Sequence, residues 1–365
     1  MLHRRMVSSA GLCAGLLALV VLPPAATARP KPPNAQAQRI VTAFKDWASR
    51  WGVPNGSISI MNGTTLLGAS GLGTYGANKI EPVASESKAI TAVCIAQLVE
   101  AGQFTFQTQL KNLLGSYFHK HPPVDARAKT ITVAQLLTHS SGITYDPSQG
   151  DQGGAIEQLP HNKTNLDKQA TITFSQNLGA TPGSSYYYNN MNYALLGLII
   201  ETKTGAYENH CKNSVLAPVG VTDAVLNPSW RVLASFGGWK ISANDYTRFL
   251  EYFLPSMHLL SIAPAQWPQF SLGGGAYYSL GTLMRQAGTG YNFWHAGSFA
   301  WSDPQTSFGA YFTVLQENVR YMADFAPTVS DSAFNDLDAS LYNAATAAAV
   351  APSGLARSRT DLLPR

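Results

Sequence analysis

The stretch Val83-Ala84-Ser85-Glu86-Ser87-Lys88-Ala89 leads into an apolar run that continues through Ile90, Val93, Cys94, Ala96 and Leu98. That periodicity predicts a helix from about Ser85 to Glu100, with Ser85 at the point where loop gives way to helix. Three residues along a helix is close to one turn, so Lys88 falls on the same face as Ser85. A hydroxyl is a poor nucleophile until a neighbour takes its proton, and an amine held beside it can do so. The same spacing also fits a capping serine followed by an exposed lysine, and the motif alone favours that plainer reading. No Gly-x-Ser-x-Gly segment occurs, so the nucleophile elbow of the α/β-hydrolases is missing.

Upstream, Ile40, Val41, Phe44, Trp47 and Trp51 recur at helical spacing. Ser57–Met61 and Thr64–Gly68 then read as strands joined at Asn62-Gly63, a strong hairpin signal. Residues 101–230 read as helices and loops with little strand character. Strand patterns return at Tyr278–Met284, Tyr291–Trp294 and Ser307–Leu315, and a last helix is expected near Ser332–Ala349, with Phe334, Leu337 and Leu341 on one face. The order predicts an α/β (α+β) fold: an antiparallel sheet flanked by terminal helices, with a helical lobe inserted. The sheet lobe would take about 37–84 and 238–349, the helical lobe about 85–237, and residues 351–365 would form a mobile tail.

The 365 residues are 45 % hydrophobic and 13 % charged, with 31 Gly and 21 Pro. That balance supports a sizeable core and argues against coiled coil and charge-driven disorder. The net charge of +4 leaves no basic stripe for nucleic acid, because Arg4, Arg5, Arg357, Arg359 and Arg365 sit at the two ends. Arg4-Arg5, the apolar run Ala10–Leu22 and Ala26-Thr27-Ala28 read as a signal peptide over 1–28 with the mature chain starting at Arg29. The expectation is a secreted or periplasmic protein with no membrane span after cleavage. Cys94 and Cys211 read as two buried thiols, with a disulfide as the alternative in an oxidising compartment. No HExxH occurs, and His119-Lys120-His121 reads as an exposed loop, so neither metal nor other cofactor is expected.

Five segments, in order, resemble those of the serine β-lactamase and penicillin-binding-protein superfamily. The similarity is to the branch of class C β-lactamases, DD-carboxypeptidases and related esterases and amidases. Val83–Ala89 resembles the nucleophile segment. Gln135-Leu136-Leu137-Thr138-His139-Ser140-Ser141-Gly142-Ile143 resembles the LLTHTSGL stretch. Pro182-Gly183, Tyr188-Asn189-Asn190 and Tyr193-Ala194-Leu195-Leu196-Gly197 resemble the PG…YSN…YxLLG segment. Gly237-Gly238 with Ser242, Ala243 and Asp245 resembles the GGL-SxxD segment, and His295-Ala296-Gly297 the third active-site motif. Segments gain weight from order and context. The resemblance covers roughly Val53 to Leu315 and implies a β-lactamase/transpeptidase-like fold.

It also implies roles. Ser85 would be acylated. Lys88 and Tyr188 would share the proton transfers, either one as base. Asn190 would orient Lys88 or hold a substrate amide. The backbone N–H groups of Ser85 and Ser298 would form the oxyanion hole. Gly297 would let its strand approach closely, and His295 would support Tyr188 or meet a substrate carboxylate. Tyr-x-Asn also starts at Tyr187 and Tyr207, but Tyr193 and Gly197 select Tyr188, and Tyr207 reads as surface helix. Lys203-Thr204-Gly205 spells a family triplet, yet its place at the end of an apolar run makes Gly205 a helix C-cap. His139 reads as structural. Class C β-lactamases usually carry Lys where this chain has His295, which weakens a β-lactamase assignment.

These features lead to an exported serine hydrolase acting through an acyl-enzyme on an ester, a D-peptide or another amide. A β-lactamase, an acyl transferase and a silent penicillin-binding domain are the alternatives. The expected partner is a small-molecule or peptide substrate, selected by loops such as 144–170 and 255–275; the oligomeric state is not legible.

Overall fold

The computed structural model describes residues 34–149, 154–300, 306–316 and 319–347. The expected signal segment and the tail 351–365 lie outside these residues. Among the described residues no helix is long and apolar enough to cross a membrane.

An eight-stranded antiparallel sheet forms the frame. Its strands are β1 (Asn55–Asn62), β2 (Thr65–Leu72), β3 (Phe270–Gly273), β4 (Ala276–Ser279), β5 (Thr282–Ala287), β6 (Gly290–Phe299), β7 (Phe308–Val314) and β8 (Val319–Ala326). They lie in the order β2-β1-β8-β7-β6-β5-β4-β3. The N-terminal hairpin therefore pairs with the last strand, Asn55 opposite Ala326 and Asn62 opposite Val319. Of the helices used below, α1 is Ala35–Arg50, α2 Ser87–Glu100, α3 Val133–Leu137, α4 Asn190–Thr204, α5 Tyr207–Cys211, α6 Ala243–Phe249 and α7 Asp331–Thr346.

The terminal helices α1 and α7 cover one face of the sheet. Trp47 donates from Nε1 to the Ala333 carbonyl at 2.8 Å and sets its ring 4.9 Å from Phe325, edge to face. Phe334 of α7 meets the same Phe325 at 5.5 Å. Phe44, fully buried beside them, is worth about 1.5–3 kcal/mol of transfer free energy. The other face receives α6, whose Tyr246 ring lies 5.6 Å from Phe312 of β7. α2 is buried on nearly every side and has no polar face; α4 and α5 pack against it, and α3 packs on α4.

Four sequence expectations are corrected here. Tyr278–Met284 is not one strand: it is two, β4 and β5, turned back at Leu280-Gly281. Both turn residues have positive φ, 41° and 75°, as a two-residue primed turn demands. A Cβ on Gly281 would stand 2.6 Å from the Lys88 carbonyl, so only glycine lets this turn rest on α2. The strand β8 went unread because Arg320 and Asp324 interrupt its apolar pattern, yet both are buried. Arg320 pairs with Glu251 at 2.8 Å and Asp324 accepts from the Ser57 hydroxyl at 2.6 Å. Tyr207 is helical but not superficial: it is buried, bonded to Thr91 at 2.7 Å and to Trp239 Nε1 at 2.8 Å. Cys94 and Cys211 are not free thiols but a disulfide joining α2 to α5, with Cα atoms 5.6 Å apart. Gly205 caps α4 at φ 86°.

Candidate active site

A tight turn over Ala84–Glu86 feeds directly into α2. Ala84 holds φ 47°, a left-handed conformation that a residue with a Cβ seldom adopts, immediately before Ser85. The surroundings hold this turn in place. Val83 N–H donates to the Trp239 carbonyl at 3.1 Å, Trp239 N–H donates to Ser87 Oγ at 3.0 Å, and Tyr246 Oη donates to the Glu86 carbonyl at 2.9 Å.

Ser85 is partly exposed, and Lys88 behind it is fully buried. Lys88 Nζ lies 2.9 Å from Ser85 Oγ and 2.9 Å from the Phe236 carbonyl. It also stands 4.9 Å from the centre of the Tyr188 ring. Burial lowers its pKa to about 7, against the opposing pull of Asp146 and Glu86. Nζ donates to the Phe236 carbonyl and to Ser85 Oγ; once neutral, the same amine has a lone pair with which to accept from the Ser85 hydroxyl. Tyr188 responds the opposite way. Burial raises its phenol above the usual range, and a hydrogen bond with Ser85 offsets part of that rise. Burial thus keeps the proton on Tyr188 and loosens it on Lys88. Tyr187, the rival in the motif, is 47 % exposed and points its ring outward.

Asn189 is the N-cap of α4, its Oδ1 accepting from Met191 N–H at 2.8 Å. Its Nδ2 ties down the carbonyls of Ile143 and Tyr145, which explains an asparagine in the middle of Tyr-x-Asn. Asn190 N–H donates to Asp146 Oδ2 and its Nδ2 to Ser148 Oγ, both at 2.8 Å. Its Oδ1 is buried without a partner, a free acceptor at the start of α4. Asn190 therefore anchors the 143–148 loop; Lys88 is held by Ser85 and Phe236.

His295 is fully buried in β6, with Nε2 3.2 Å from Tyr278 Oη and its ring 6.1 Å from that of Tyr188. Burial, with the Lys88 charge, lowers its pKa to about 3, so it is neutral. Of its two expected roles, burial and lack of charge weigh against contact with a substrate carboxylate. At Gly297 an added Cβ would stand 2.8 Å from the Val83 carbonyl and 3.0 Å from Ser85 N. The β6 backbone thus lies against the Ala84–Glu86 turn, and Ser298 comes one residue beyond, its Oγ bonded to Thr328 Oγ1 at 2.8 Å. The sequence-derived residues fall into three positions: Ser85, Lys88 and Tyr188 together, Gly297 and Ser298 beside them, and His295 and Asn190 behind.

His139 is more than a linker. It holds φ 55° and its ring packs 4.4 Å from Tyr188 and 4.6 Å from Tyr278. Its Nδ1 accepts from Asn189 N–H at 3.2 Å and lies 3.1 Å from Asn192 Nδ2. Sequence reasoning also missed the Phe236 carbonyl, Glu86, Asp146 and Tyr278. A backbone acceptor has no side-chain signature, and the others are legible only once α6, the 143–148 loop and the Leu280-Gly281 turn are in place. Among the described residues no group of three His, Cys, Asp or Glu could hold a metal ion.

Comparisons with known proteins bear on the family and the fold. Protein flp of Staphylococcus aureus (strain MRSA252) is 28 % identical over 203 residues, which are 52 % of this chain and 38 % of that protein. The chain thus spans about two fifths of the length of that curated relative. A D-stereospecific amidohydrolase from Streptomyces sp. superposes with a TM-score of 0.69 at 18 % identity, over 85 % of this chain and 98 % of that one. A penicillin-binding protein from Bacillus halodurans gives 0.65 at 20 % identity, over 83 % and 99 %. These two show a shared β-lactamase/transpeptidase-type fold. With the Beta-lactamase family matched continuously over residues 38–329, the chain belongs to that family.

Proposed function

We propose that this protein is an exported serine hydrolase that works through an acyl-enzyme on Ser85, with an ester, a D-amino-acid peptide or another amide as substrate. The observation that carries the proposal is the Lys88 amine, buried 2.9 Å from Ser85 Oγ with a pKa of about 7. At neutral pH much of it is unprotonated and able to take the Ser85 proton as Oγ attacks the carbonyl. The N–H groups of Ser85 and Ser298 serve the developing oxyanion. Tyr188, still carrying its proton, passes one to the leaving group. A water then cleaves the ester on Ser85 with the same groups acting in reverse.

Neutral, buried His295 supplies no cation at the third motif, which favours esters and amides without an adjoining carboxylate over β-lactams. A fold shared with a D-stereospecific amidohydrolase supports a D-configured amide among these substrates. The signal-like N-terminus and the Cys94–Cys211 disulfide both suit an oxidising compartment outside the cytoplasm.

The test is intact-protein mass spectrometry of residues 29–365 and of Ser85→Ala after incubation with a penicillin, short-chain esters and D-amino-acid amides. Turnover or an acyl adduct in the wild type, lost by about 10³-fold or more in Ser85→Ala, is the expected result. Opened penicillin without a lasting adduct would make it a β-lactamase. Activity that survives Ser85→Ala would remove Ser85 as nucleophile, and no reaction with any of the three would favour a silent binding domain.

A further inference from the structure

Glu86, inside the nucleophile motif, has no part in the chemistry above, yet it is fully buried. No hydrogen bond of normal geometry reaches either of its carboxyl oxygens; Tyr246, whose hydroxyl donates to the Glu86 backbone carbonyl, is the neighbour near enough to act on them. Across from it, His295 Nδ1 is buried and equally unpartnered, 3.8 Å from Glu86 Oε1. Two buried polar groups that lack partners and face one another call for an account, because each carries a desolvation penalty if left alone.

Donor and acceptor counting supplies one. Tyr193 Oη donates to the Leu137 carbonyl at 3.0 Å, and a carbonyl can only accept, so this end of the chain has a fixed direction. Tyr193 and Tyr278 also stand near enough to act on one another, and Tyr193, its proton spent on Leu137, can only accept on that side. Tyr278 Oη in turn lies 3.2 Å from His295 Nε2, and with its proton turned towards Tyr193 it accepts there. His295 then carries its proton on Nε2, and Nδ1 is an acceptor in need of a donor. A carboxylate has no proton to offer; a carboxylic acid has one.

We infer that Glu86 is an un-ionised positioning residue whose carboxylic acid proton faces His295 Nδ1, setting the imidazole tautomer and, through Tyr278 and Tyr193, the aromatic wall around Tyr188. The idea builds on the proposed role of Ser85 and Lys88. Burial supports it, holding the Glu86 carboxyl well above the usual carboxylate range. The groups facing Glu86 are Lys88 on α2, Tyr246 on α6, His295 on β6 and, further off, Tyr188 and Tyr278. Among them Lys88 gains most from an uncharged Glu86: a carboxylate there would favour the ammonium and take away the base. The competing arrangement puts the imidazole proton on Nδ1 towards the Ala296 backbone, which also influences the ring.

The first readout needs no activity. In protein carrying 15N-histidine and 13C-carboxyl glutamate, NMR at pH 7 should show His295 protonated on Nε2 and a Glu86 carboxyl resonance typical of the acid, assigned through E86Q. A proton on Nδ1, or a carboxylate resonance, overturns the inference even if Ser85 is the nucleophile. The second readout is the rate at which a fluorophosphonate probe labels Ser85, followed by mass across pH. E86Q, whose amide can still donate, should keep the midpoint of the rising limb in place. A midpoint moved down by about one unit would mean that Glu86 had been charged and was raising the Lys88 pKa. E86L, with no donor, should slow labelling about tenfold, the equivalent of one orphaned buried acceptor, and switch the His295 tautomer. E86L labelling as fast as E86Q with an unchanged tautomer would also overturn it. Failure of the wild type to label at Ser85 would count against the proposed function and leave the tautomer result standing.

Discussion

At the scale of single residues, the decisive feature is a lysine without charge. In the unfolded chain Lys88 would lose its proton near 10.5; in the folded protein it does so near 7. Below pH 7 the buried ammonium therefore costs the fold stability, and that cost is relieved as pH rises from about 7 to 10.5. The acylation rate of Ser85 should rise with pH along a limb centred near 7. Lys88→Met should abolish that limb and melt higher than the wild type at pH 6; calorimetry and labelling kinetics across pH check both. Gly297 sets a second limit. Gly297→Ala pushes a methyl against the Val83 carbonyl and Ser85 N, with a cost of about 1–3 kcal/mol, and slows acylation while circular dichroism stays native. Ser85, Lys88, Tyr188 and Gly297 were legible because their types and spacing carry chemistry in linear order. Glu86 was not: a carboxyl next to a serine reads as solvated until the fold shows β6 and α6 closing over it.

At the scale of elements, the sequence was read best where the pattern was local. The β1–β2 hairpin at Asn62-Gly63, the apolar face of α7 and the cap of α4 follow from neighbours a few residues apart. The misreadings are all nonlocal. Leu280 in a tight turn looked like strand because leucine is rare at φ 41°, and what holds it there is burial against α2. Cys94 and Cys211 meet across 117 residues, a distance no spacing rule spans. The disulfide fixes α5 to the helix that carries Lys88, two turns beyond the amine. Replacing both cysteines with alanine should lower stability by about 2–5 kcal/mol, read as an earlier thermal transition, with a smaller effect on the Lys88 limb.

For the molecule as a whole, the most revealing residue is Asp324 in the middle of the sheet. Burial raises its pKa from 3.8 to about 7, beyond what its bonds from the Ser57 N–H and hydroxyl offset. A folded-state pKa above the unfolded one means that stability is full below about pH 4 and declines as pH rises through 7. Asp324→Asn should leave the melting temperature near pH 4 unchanged and raise it at pH 8, by at most about 4 kcal/mol in stability terms. A variant no more stable at pH 8 than the wild type would show that folding does not raise the Asp324 pKa. The α+β architecture and its terminal helices followed from element order in the sequence; the strand order did not, because β8 pairs its two neighbours with its polar residues satisfied internally.

That strand order has a consequence in time. β1 is made early, but its inner edge stays open until β8 arrives, and Ser57 waits 267 residues for Asp324. A chain emerging from a ribosome, or threading outward through a membrane pore, carries an unsatisfied strand edge for most of that passage. Long-range pairing of this kind is slow to form and exposed to misassembly while it waits. The wait also protects. Ser85 acquires its flanking strand only when β6 is seated beside it, so on the proposed function a chain cut short before β6 should not acylate, and reactivity should begin only with the closed sheet.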